Sequence, residues 1–467
     1  MKHDVFRKMP VEKLMNHNAE GKGLKKCLGA FELTMLGIGA IIGTGIFVLT
    51  GVAAADYAGP ALVLSFVISG IACAFAALCY AELSAMIPIS GSAYTFGYVG
   101  LGEIWGWIIG WDLILEYCVA VAAVSIGWSG YIVNLLGIIG INLPKAITAA
   151  PGAGGIINLP AVIILGLIAL LLLAGAKESA KLNNILVAIK VAVVLLFIVL
   201  GFSHVETANW KPFMPYGWNG VFSGAAIVFF AYIGFDAVST AAEEVKNPQK
   251  DLPKGIIGSL VVCTVLHIIV SAILTGMVPY LEFHGNSAPV AYALSKVGIQ
   301  WGSALVSVGA VCGITSVLLV MMYGSTRLFY ALSRDGLLPK AFSQVSEKRG
   351  VPTKSIVLVF IATALVAAFL PIGKVAELTN MGTLAAFVVV SLSVILLRKS
   401  RPDLERPFKV PFVPLVPILA AVFCLFLIFQ LPTFTKVAFL IWIGIGFLVY
   451  AFYGFKHSSL NEKNNID

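Results

Sequence analysis

The sequence predicts an all-α integral membrane protein with twelve transmembrane helices. Three observations lead to this fold class: the chain is strongly apolar, its apolar residues form long runs, and its positive charges lie mostly between alternate runs. Of the 467 residues, 59% are hydrophobic and 12% are charged, whereas a soluble domain carries about 25% charged residues. The mean hydropathy is +0.96. Such a composition indicates a chain that is largely embedded in lipid.

Twelve apolar runs are long enough to cross a bilayer, for which a helix needs about 20 residues. We number them segments 1 to 12 in chain order, and the third is long enough to tilt or to extend past the bilayer. The segments are residues 30–55, 61–87, 98–134, 159–175, 181–203, 218–241, 254–280, 301–330, 355–371, 378–397, 411–431 and 437–455. A basic arm, residues 1–29, precedes them, and a tail, residues 456–467, follows them.

The distribution of lysine and arginine predicts that both termini are cytoplasmic. With the N-terminus inside, 25 of the 31 basic residues fall in the termini and inner loops, and five fall in outer loops. This asymmetry is the positive-inside pattern of multi-pass proteins, here in the cell membrane. The basic arm lacks the apolar core of a cleaved signal peptide. The net charge of +8 is therefore expected to face anionic lipid, and no nucleic acid partner is predicted.

Two segments carry interruptions, and they lie five segments apart. Residues 37–47 of segment 1 include four glycines, each of which weakens a helix by about 1 kcal/mol relative to alanine. Residues 229–236 of segment 6 combine a glycine with an acid. The alternative interpretation of the first interruption is helix packing through the small pair Gly39-xxx-Gly43.

The spacing of the two interruptions predicts an inverted repeat. Because five is odd, segments 1 and 6 enter the bilayer from opposite sides, as the corresponding broken helices of inverted-repeat transporters do. The two halves would be residues 30–203 and 218–397. Segments 11 and 12, residues 411–455, would lie outside this five-plus-five scheme.

The interruption in segment 1 also predicts an anion site. If the helix unwinds near Ile41 and Gly43 and restarts at Thr44, the first amides of the new helix lack partners and point into the membrane centre. That helix end carries partial positive charge. A carboxylate would receive bonds from the amides of Thr44 and Gly45 and from the Thr44 hydroxyl. Gly43 and Gly45 would admit the ligand because they have no Cβ.

The interruption in segment 6 would supply a complementary cation site. Carbonyl groups near Phe230, Ala231 and Ile233 would accept bonds from an ammonium group, and Phe230 would cover the ligand as an aromatic lid. An anion site beside a cation site suits a zwitterion, which favours amino acids over sugars or ions. Ordinary aromatic packing is the alternative for each of these residues.

Three charged residues within or beside apolar segments are candidates for function. Lys190 is the only basic residue deep in one, where a charge costs roughly 2.5–3.5 kcal/mol. Burial favours the neutral amine, so Lys190 is a candidate for proton coupling or for bridging carbonyls freed in segment 1; snorkelling is the alternative. Glu116 and Asp236 are candidates for a proton relay and a gate, with structural pairing as the alternative. His267 is isolated in segment 7, which favours packing.

No enzyme motif is present in the sequence. It contains no HExxH zinc helix, no GxSxG elbow and no Walker loop. The seven cysteines are scattered and form no CxxC pair, which indicates packing residues rather than metal ligands. We therefore predict neither an enzyme nor a cofactor, and we expect an ion gradient rather than ATP to supply the energy.

Six motifs together resemble the amino acid–polyamine–organocation superfamily, and within it the bacterial relatives of the cationic amino acid transporters. The resemblance covers nearly the whole chain. The motifs are residues 37–47, 80–83, 88–94, 175–184 with Lys190, 229–253 and 334–339. The resemblance implies a five-plus-five core that works by alternating access.

The resemblance also implies roles for individual residues. Ile41, Thr44 and Gly45 would bind the backbone of an amino acid. Phe230, Ala231 and Ile233 would complete that site from segment 6. Lys190 matches the family's lysine that stands in for a second sodium site, which implies coupling to protons.

The side-chain pocket should include segment 8, in which Met321 is the candidate wall. Segment 8 offers no acid for a cationic side chain, so small neutral L-amino acids such as alanine are favoured over arginine. The leading prediction is thus a proton-coupled L-amino acid symporter. An amino acid exchanger and a cationic amino acid transporter remain alternatives, a channel or a nutrient receptor is more remote, and a small membrane accessory subunit stays open.

Overall fold

The computed structural model describes residues 28–88, 92–175, 180–346 and 351–460, and these residues are mostly helical. The predicted basic arm, residues 1–29, lies outside this part of the chain apart from Leu28 and Gly29. Residues 461–467 of the predicted tail also lie outside it, as do residues 176–179 of the motif before segment 5.

Within the described residues, eight helices are long and apolar enough to cross a membrane, and four shorter helices are also apolar. The eight are Gly45–Met86, Glu103–Ile138, Asn184–Phe202, Gly217–Ser239, Pro248–Met277, Gln300–Arg334, Ile372–Ser400 and Thr433–His457. The four shorter ones are Ala30–Ile41, Leu159–Leu173, Thr353–Phe369 and Leu415–Gln430. Every predicted segment overlaps at least one of these helices.

Segment 3 differs from its predicted form. The prediction is one continuous span over residues 98–134, whereas the structure has a short helix, Ser92–Gly100, and a long one, Glu103–Ile138. Gly102 separates them with a φ of 110°, a conformation that is open to glycine and strained for other residues. The apolar run hides this turn because Leu101 and Gly102 do not interrupt its hydrophobicity.

The chain leaves helical geometry at both predicted interruptions. In segment 1 the helix Ala30–Ile41 ends at an extended residue, Ile42 with ψ of 100°, and helical structure resumes at Gly45–Leu49. In segment 6 the helix Gly217–Val228 tightens into a 3₁₀ turn, Phe229–Tyr232.

Segment 6 then extends at Ile233, with ψ of 131°. It turns at Gly234, whose φ is 122°. A short helix, Ala237–Thr240, continues from there. Because Gly234 adopts a left-handed conformation, a residue with a Cβ would be strained at this turn.

The two breaks lie against each other. A Cβ on Gly45 would collide with the backbone of Ala231. A Cβ on Gly234 would come within 2.8 Å of the backbone and side chain of Ala40. The absence of side chains at Gly45 and Gly234 therefore permits the close approach of segments 1 and 6.

The N-terminal end of segment 1 and the residues that follow segment 6 are joined by backbone hydrogen bonds. The amide of Leu28 donates to the carbonyl of Glu244 over 3.0 Å, and the amide of Lys246 donates to the carbonyl of Leu28 over 2.9 Å. Segment 3 packs against segments 8 and 10, and segment 7 packs against segments 1 and 2. This arrangement places segments 3, 8 and 10 beside the two breaks.

Candidate binding site at the two helix breaks

The segment 1 side of the site is an enclosed helix N-terminus. Ile41, Gly43, Thr44 and Gly45 are all buried, Thr44 with an exposed fraction of 1%. The carbonyl of Gly43 already accepts the amide of Phe47 over 3.2 Å, so the half-helix begins at this residue. The first amides of a helix have no partner within it, and they carry its positive dipole end.

The hydroxyl of Thr44 is only weakly engaged. Its Oγ1 atom donates to the carbonyl of Val124 over 3.5 Å, which is at the outer limit of a hydrogen bond. Thr44 packs against segment 3 at Gly127, where a Cβ would come within 2.5 Å of the threonine methyl group. Segment 3 thus positions the Thr44 side chain without strongly occupying its hydroxyl.

Gly43 and Gly45 have different surroundings. The Cβ of an alanine at Gly45 would overlap Ala231, whereas at Gly43 it would make ordinary contact, 3.5 Å from Cγ2 of Val317. Gly45 is therefore required for packing between the broken segments. Gly43 has room on the protein side, which fits the expectation that it admits a ligand.

The segment 6 side of the site is a turn with buried aromatic and aliphatic residues. Phe230, Ala231 and Ile233 have exposed fractions of 6%, 0% and 7%. The carbonyl of Phe230 accepts the amide of Ile233 over 3.2 Å and keeps a second lone pair. Tyr232 points away from segment 1 and donates its hydroxyl to the carbonyl of Phe66 over 2.7 Å.

Asp236 stabilises the turn of segment 6 through the backbone. Its Oδ1 atom accepts the amide of Gly234 over 3.2 Å. Its carbonyl accepts the hydroxyl of Ser239 over 2.6 Å. These contacts give Asp236 a local structural task beside the gating role predicted for it.

Lys190 lies at the C-terminal end of the helix Ala30–Ile41, the N-terminal half of segment 1. Its side chain is completely buried, and Nζ donates to the carbonyl of Gly39 over 2.8 Å. Gly39 is among the last residues of the helix that ends at Ile41, where carbonyl groups lack intrahelical partners. The lysine stem runs along Gly313 of segment 8, where a Cβ would lie 2.6 Å from Cγ of Lys190. Lys190 therefore links segments 1, 5 and 8.

Segment 8 contributes Val317, a residue that the sequence analysis missed. Val317 lies on the helix Gln300–Arg334, one turn before Met321 and on the same face. Met321 is partly buried. Val317 is the neighbour of Gly43 described above. Its position four residues before Met321 is the sequence signal that could have identified it.

Glu116 lies on segment 3 facing segment 10, and a second acid accompanies it. Asp112, one turn earlier, is also buried, and the sequence analysis did not single it out. One oxygen of each carboxyl group is buried without a hydrogen-bond partner. The signal for Asp112 was its spacing of four residues from Glu116, which places both on one face of a helix.

His267 is buried between aromatic rings. It stacks on Phe66 with ring centroids 5.2 Å apart, and its ring meets Tyr232 edge-on at 5.2 Å. Neither ring nitrogen has a hydrogen-bond partner. Among the residues that the structure describes, His, Cys, Asp and Glu side chains form no group of three that could hold a metal ion.

The chain is similar to known proteins along almost its whole length. The sequence model of the family described as "Amino acid permease" matches residues 28–456. The branched-chain amino acid permease BcaP of Bacillus subtilis (strain 168) is 54% identical over 466 residues, which cover 99% of this chain and 100% of that protein.

Two further relatives are named for other substrates. The methylthioribose transporter of Bacillus subtilis (strain 168) is 52% identical over 98% of this chain and 99% of its own length. Cationic amino acid transporter 4, vacuolar, of Arabidopsis thaliana is 37% identical over 81% of this chain and 64% of its own length.

Proposed function

Because the chain belongs to the amino acid permease family of multi-pass membrane proteins, we propose that it is a proton-coupled symporter of L-amino acids. The observation that carries this proposal is the juxtaposition of the two breaks. The helix N-terminus at Thr44 lies beside the unwound turn at Ala231. A positive helix end suits a carboxylate and free carbonyl groups suit an ammonium group, so the pair fits the backbone of an amino acid.

The burial of this site supports a mechanism of alternating access. Ile41, Thr44, Phe230 and Ile233 are each at most 7% exposed. A ligand can therefore enter or leave only if segments 1 and 6 move. We propose twelve crossings, with residues 30–203 and 218–397 as the two inverted halves, both termini in the cytoplasm and the cell membrane as the location.

The position of Lys190 supports proton coupling. An ammonium group at this point neutralises the negative end of the N-terminal half of segment 1 and satisfies the carbonyl of Gly39. Loss of the proton would remove that charge and weaken this contact, because a hydrogen bond from a charged donor is about twice as strong as a neutral one. The protonation of Lys190 is thereby coupled to the geometry of the break.

The proposed substrates are neutral L-amino acids, with small ones such as alanine preferred. Val317 of segment 8 contacts the position of Gly43, and Met321, the proposed wall, lies four residues further along the same helix. An apolar pocket of this kind would desolvate a cationic side chain without pairing it. The relatives named for branched-chain amino acids support neutral, aliphatic substrates. Replacement of Met321 by serine should enlarge the pocket and admit longer, cationic amino acids. If Met321→Ser gained no such uptake, the assignment of the wall would be wrong.

The principal test uses purified protein in liposomes. We expect uptake of labelled L-alanine to rise with an inward proton gradient, and we expect Lys190→Met to abolish this rise. Uptake that ignores pH and requires internal amino acid would instead identify an exchanger. Gradient-driven uptake that survives Lys190→Met would remove this lysine from the coupling mechanism.

A second candidate function follows from the relative named as a methylthioribose transporter. Methylthioribose has neither a carboxylate nor an ammonium group, so it would not use the helix end at Thr44 as an anion site. Competition of labelled alanine uptake by excess methylthioribose, leucine or arginine distinguishes three substrate classes: methylthioribose, neutral amino acids and cationic amino acids. Strong competition by methylthioribose alone would favour the sugar.

A further inference from the structure

Two acids in the middle of segment 3 face segment 10. Asp112 and Glu116 lie one turn apart on the helix Glu103–Ile138, each with an exposed fraction of 3%. A Cβ on Gly382 of segment 10 would lie 2.7 Å from Oδ1 of Asp112 and 3.5 Å from Cβ of Glu116. The absence of a side chain at Gly382 therefore leaves space for the carboxyl group of Asp112 and for the Cβ atom of Glu116.

The hydrogen bonding of these acids is incomplete. Oδ1 of Asp112 and Oε2 of Glu116 are buried and accept no hydrogen bond. Glu103, at the start of the same helix, is also buried but accepts hydroxyl groups of Tyr450 and Ser458, each over 2.8 Å. An ionised carboxylate only accepts hydrogen bonds, and a buried acceptor without a donor is strongly unfavourable. Asp112 and Glu116 are thus poorly prepared to hold two negative charges.

The neighbouring charges add to this difficulty. Asp236 of segment 6 and Tyr117 interact electrostatically with Glu116, and the side chain of Thr383 forms a hydrogen bond with the Glu116 carboxyl group. In the described part of the chain, neither Asp112 nor Glu116 belongs to an ion pair within 4.0 Å.

Two further titratable groups on the elements packed against segment 3 are engaged elsewhere. Tyr94, which lies against Gly110, donates its hydroxyl to Asp335 over 3.0 Å. Arg327 of segment 8 donates to the hydroxyl of Tyr323 over 2.6 Å. The surroundings of the acid pair therefore supply negative charge and hydroxyl groups.

We propose that Asp112 and Glu116 share one proton in a transport-linked site on segment 3, separate from Lys190. Two buried carboxyl groups one helical turn apart repel each other when both are ionised, so one proton on the pair relieves this repulsion. The proton would come from the outer aqueous phase and leave to the cytoplasm during transport. This inference rests on the proposed proton symport and adds Asp112 to it.

Segment 10 connects this pair with the substrate site. Asn380, two residues before Gly382, donates from Nδ2 to the carbonyl groups of Ala226 and Ile227 over 2.7 and 3.0 Å. These carbonyl groups end the helix Gly217–Val228, directly before the break in segment 6. A change in the charge of Asp112 or Glu116 alters the electrostatic force that the pair exerts on segment 10 at Gly382. Asn380 lies half a helical turn from Gly382 and transmits the resulting movement of segment 10 to segment 6.

The test compares Asp112→Asn with Glu103→Gln in liposomes loaded with a pH-sensitive dye. We expect Asp112→Asn to move the midpoint of the pH profile of alanine uptake to lower pH by about one unit, because Glu116 then loses a neighbouring negative charge. We expect Glu103→Gln to leave the midpoint unchanged. Glu116→Gln should produce the same shift through Asp112, which keeps the inference testable if Asp112→Asn fails to fold.

Other outcomes separate this inference from the proposed function. An unchanged midpoint and unchanged proton entry in both folded acid variants would overturn the shared proton. Sodium-dependent uptake that Asp112→Asn abolishes would show a metal cation at the pair and would also overturn it. If the wild-type protein exchanges alanine without proton entry, the proposed proton symport is wrong. The shift in the pH midpoint of alanine exchange between the wild type and Asp112→Asn then tests the shared proton by itself.

Discussion

Different groups bind the backbone at the breaks in segments 1 and 6. The break in segment 1 is short, confined to Ile42 and Gly43, and Lys190 binds the carbonyl of Gly39 on its N-terminal side. The break in segment 6 extends over residues 229–236. Groups around it bind its backbone: the carboxyl of Asp236 binds the amide of Gly234, and Asn380 binds two carbonyl groups.

This difference indicates different tasks for the two breaks. The contact at segment 1 depends on an ammonium group, so it changes when that group loses its proton. The contacts of Asn380 do not depend on protonation, because a side-chain amide does not titrate. Under the proposed proton coupling, segment 1 would respond directly to a proton, while segment 6 would respond through the residues that bind it.

The largest effect is expected from an alanine at Gly45. Because its Cβ would overlap the backbone of Ala231, Gly45→Ala should separate the two broken segments and lower uptake by about tenfold or more, which corresponds to ~1.4 kcal/mol or more in the transport barrier. Initial rates in liposomes measure this effect. Gly43→Ala is the matched control for packing, since a Cβ there meets only Val317 at 3.5 Å.

Gly43→Ala should fold normally but weaken the apparent affinity for alanine, because the methyl group enters the space assigned to the ligand. A thermal unfolding temperature equal to that of the wild type, with a raised KM, would match this expectation. If Gly43→Ala transported with an unchanged KM, the ligand would not approach segment 1 at this residue.

A smaller effect is expected where segment 10 holds segment 6. Asn380→Leu removes the side-chain donor of the carbonyl groups of Ala226 and Ile227. Ile227 keeps the amide of Phe229, so the main loss is at Ala226, and an unsatisfied buried group costs about 1–3 kcal/mol. Thermal unfolding in detergent should show this loss. Thr379→Val is the control, because the hydroxyl of Thr379 bonds only within its own helix, to the carbonyl of Val375. Equal stability of the two variants would contradict the proposed support of segment 6.

A still smaller effect separates the two roles of Asp236. Asp236→Asn keeps an oxygen that accepts the amide of Gly234, so transport should persist if the residue stabilises the turn. Asp236→Ala removes that acceptor and should reduce both stability and uptake. If Asp236→Asn abolished uptake while the protein stayed folded, the charge itself would be essential, as the gating prediction requires.

The fold was accessible from the sequence wherever hydrophobicity changes along the chain. Each apolar run of about 20 residues overlaps a helix, because a spanning helix must satisfy its backbone internally and present apolar side chains to lipid. The turn at Leu101 and Gly102 was missed because it interrupts the helix without interrupting the apolar run. The glycine cluster of segment 1 marked its break because glycine weakens helices.

The site was accessible only where its residues are close together in sequence. Thr44 and Phe230 lie in recognisable interruptions. Val317 and Asn380 act across segments, through contacts with Gly43 and Ala226. The spacing of Val317 from Met321 indicates a shared helix face, but a single sequence does not show which residues of other segments that face contacts. The sequence also does not show that Asp112 lacks hydrogen-bond donors. It does not distinguish a buried acid that accepts hydroxyl groups, such as Glu103, from a buried acid that does not.

The smallest effect is expected in the hairpin of residues 280–296, which joins segments 7 and 8 and packs against the C-terminal half of segment 1. Pro289 of this hairpin lies against Gly51, and a nearby ion pair joins Glu282 to Lys296 over 2.8 Å. Hydrogen bonds from Lys296 and Tyr292 hold the pKa of Glu282 below its ordinary value. A lowered pKa means that the stabilisation is complete above the ordinary value of 4.5 and is lost as the pH falls through the lowered pKa.

We therefore expect Glu282→Gln to lower the unfolding temperature only slightly at pH 7, and the difference from the wild type to vanish in acid. Both side chains of the pair are substantially exposed, and exposed pairs contribute little because water and salt screen them. Gly51→Ala should have a much larger effect, because its Cβ would come within 2.5 Å of Pro289. If Glu282→Gln were the more destabilising variant, the C-terminal half of segment 1 would be held by charge rather than by packing.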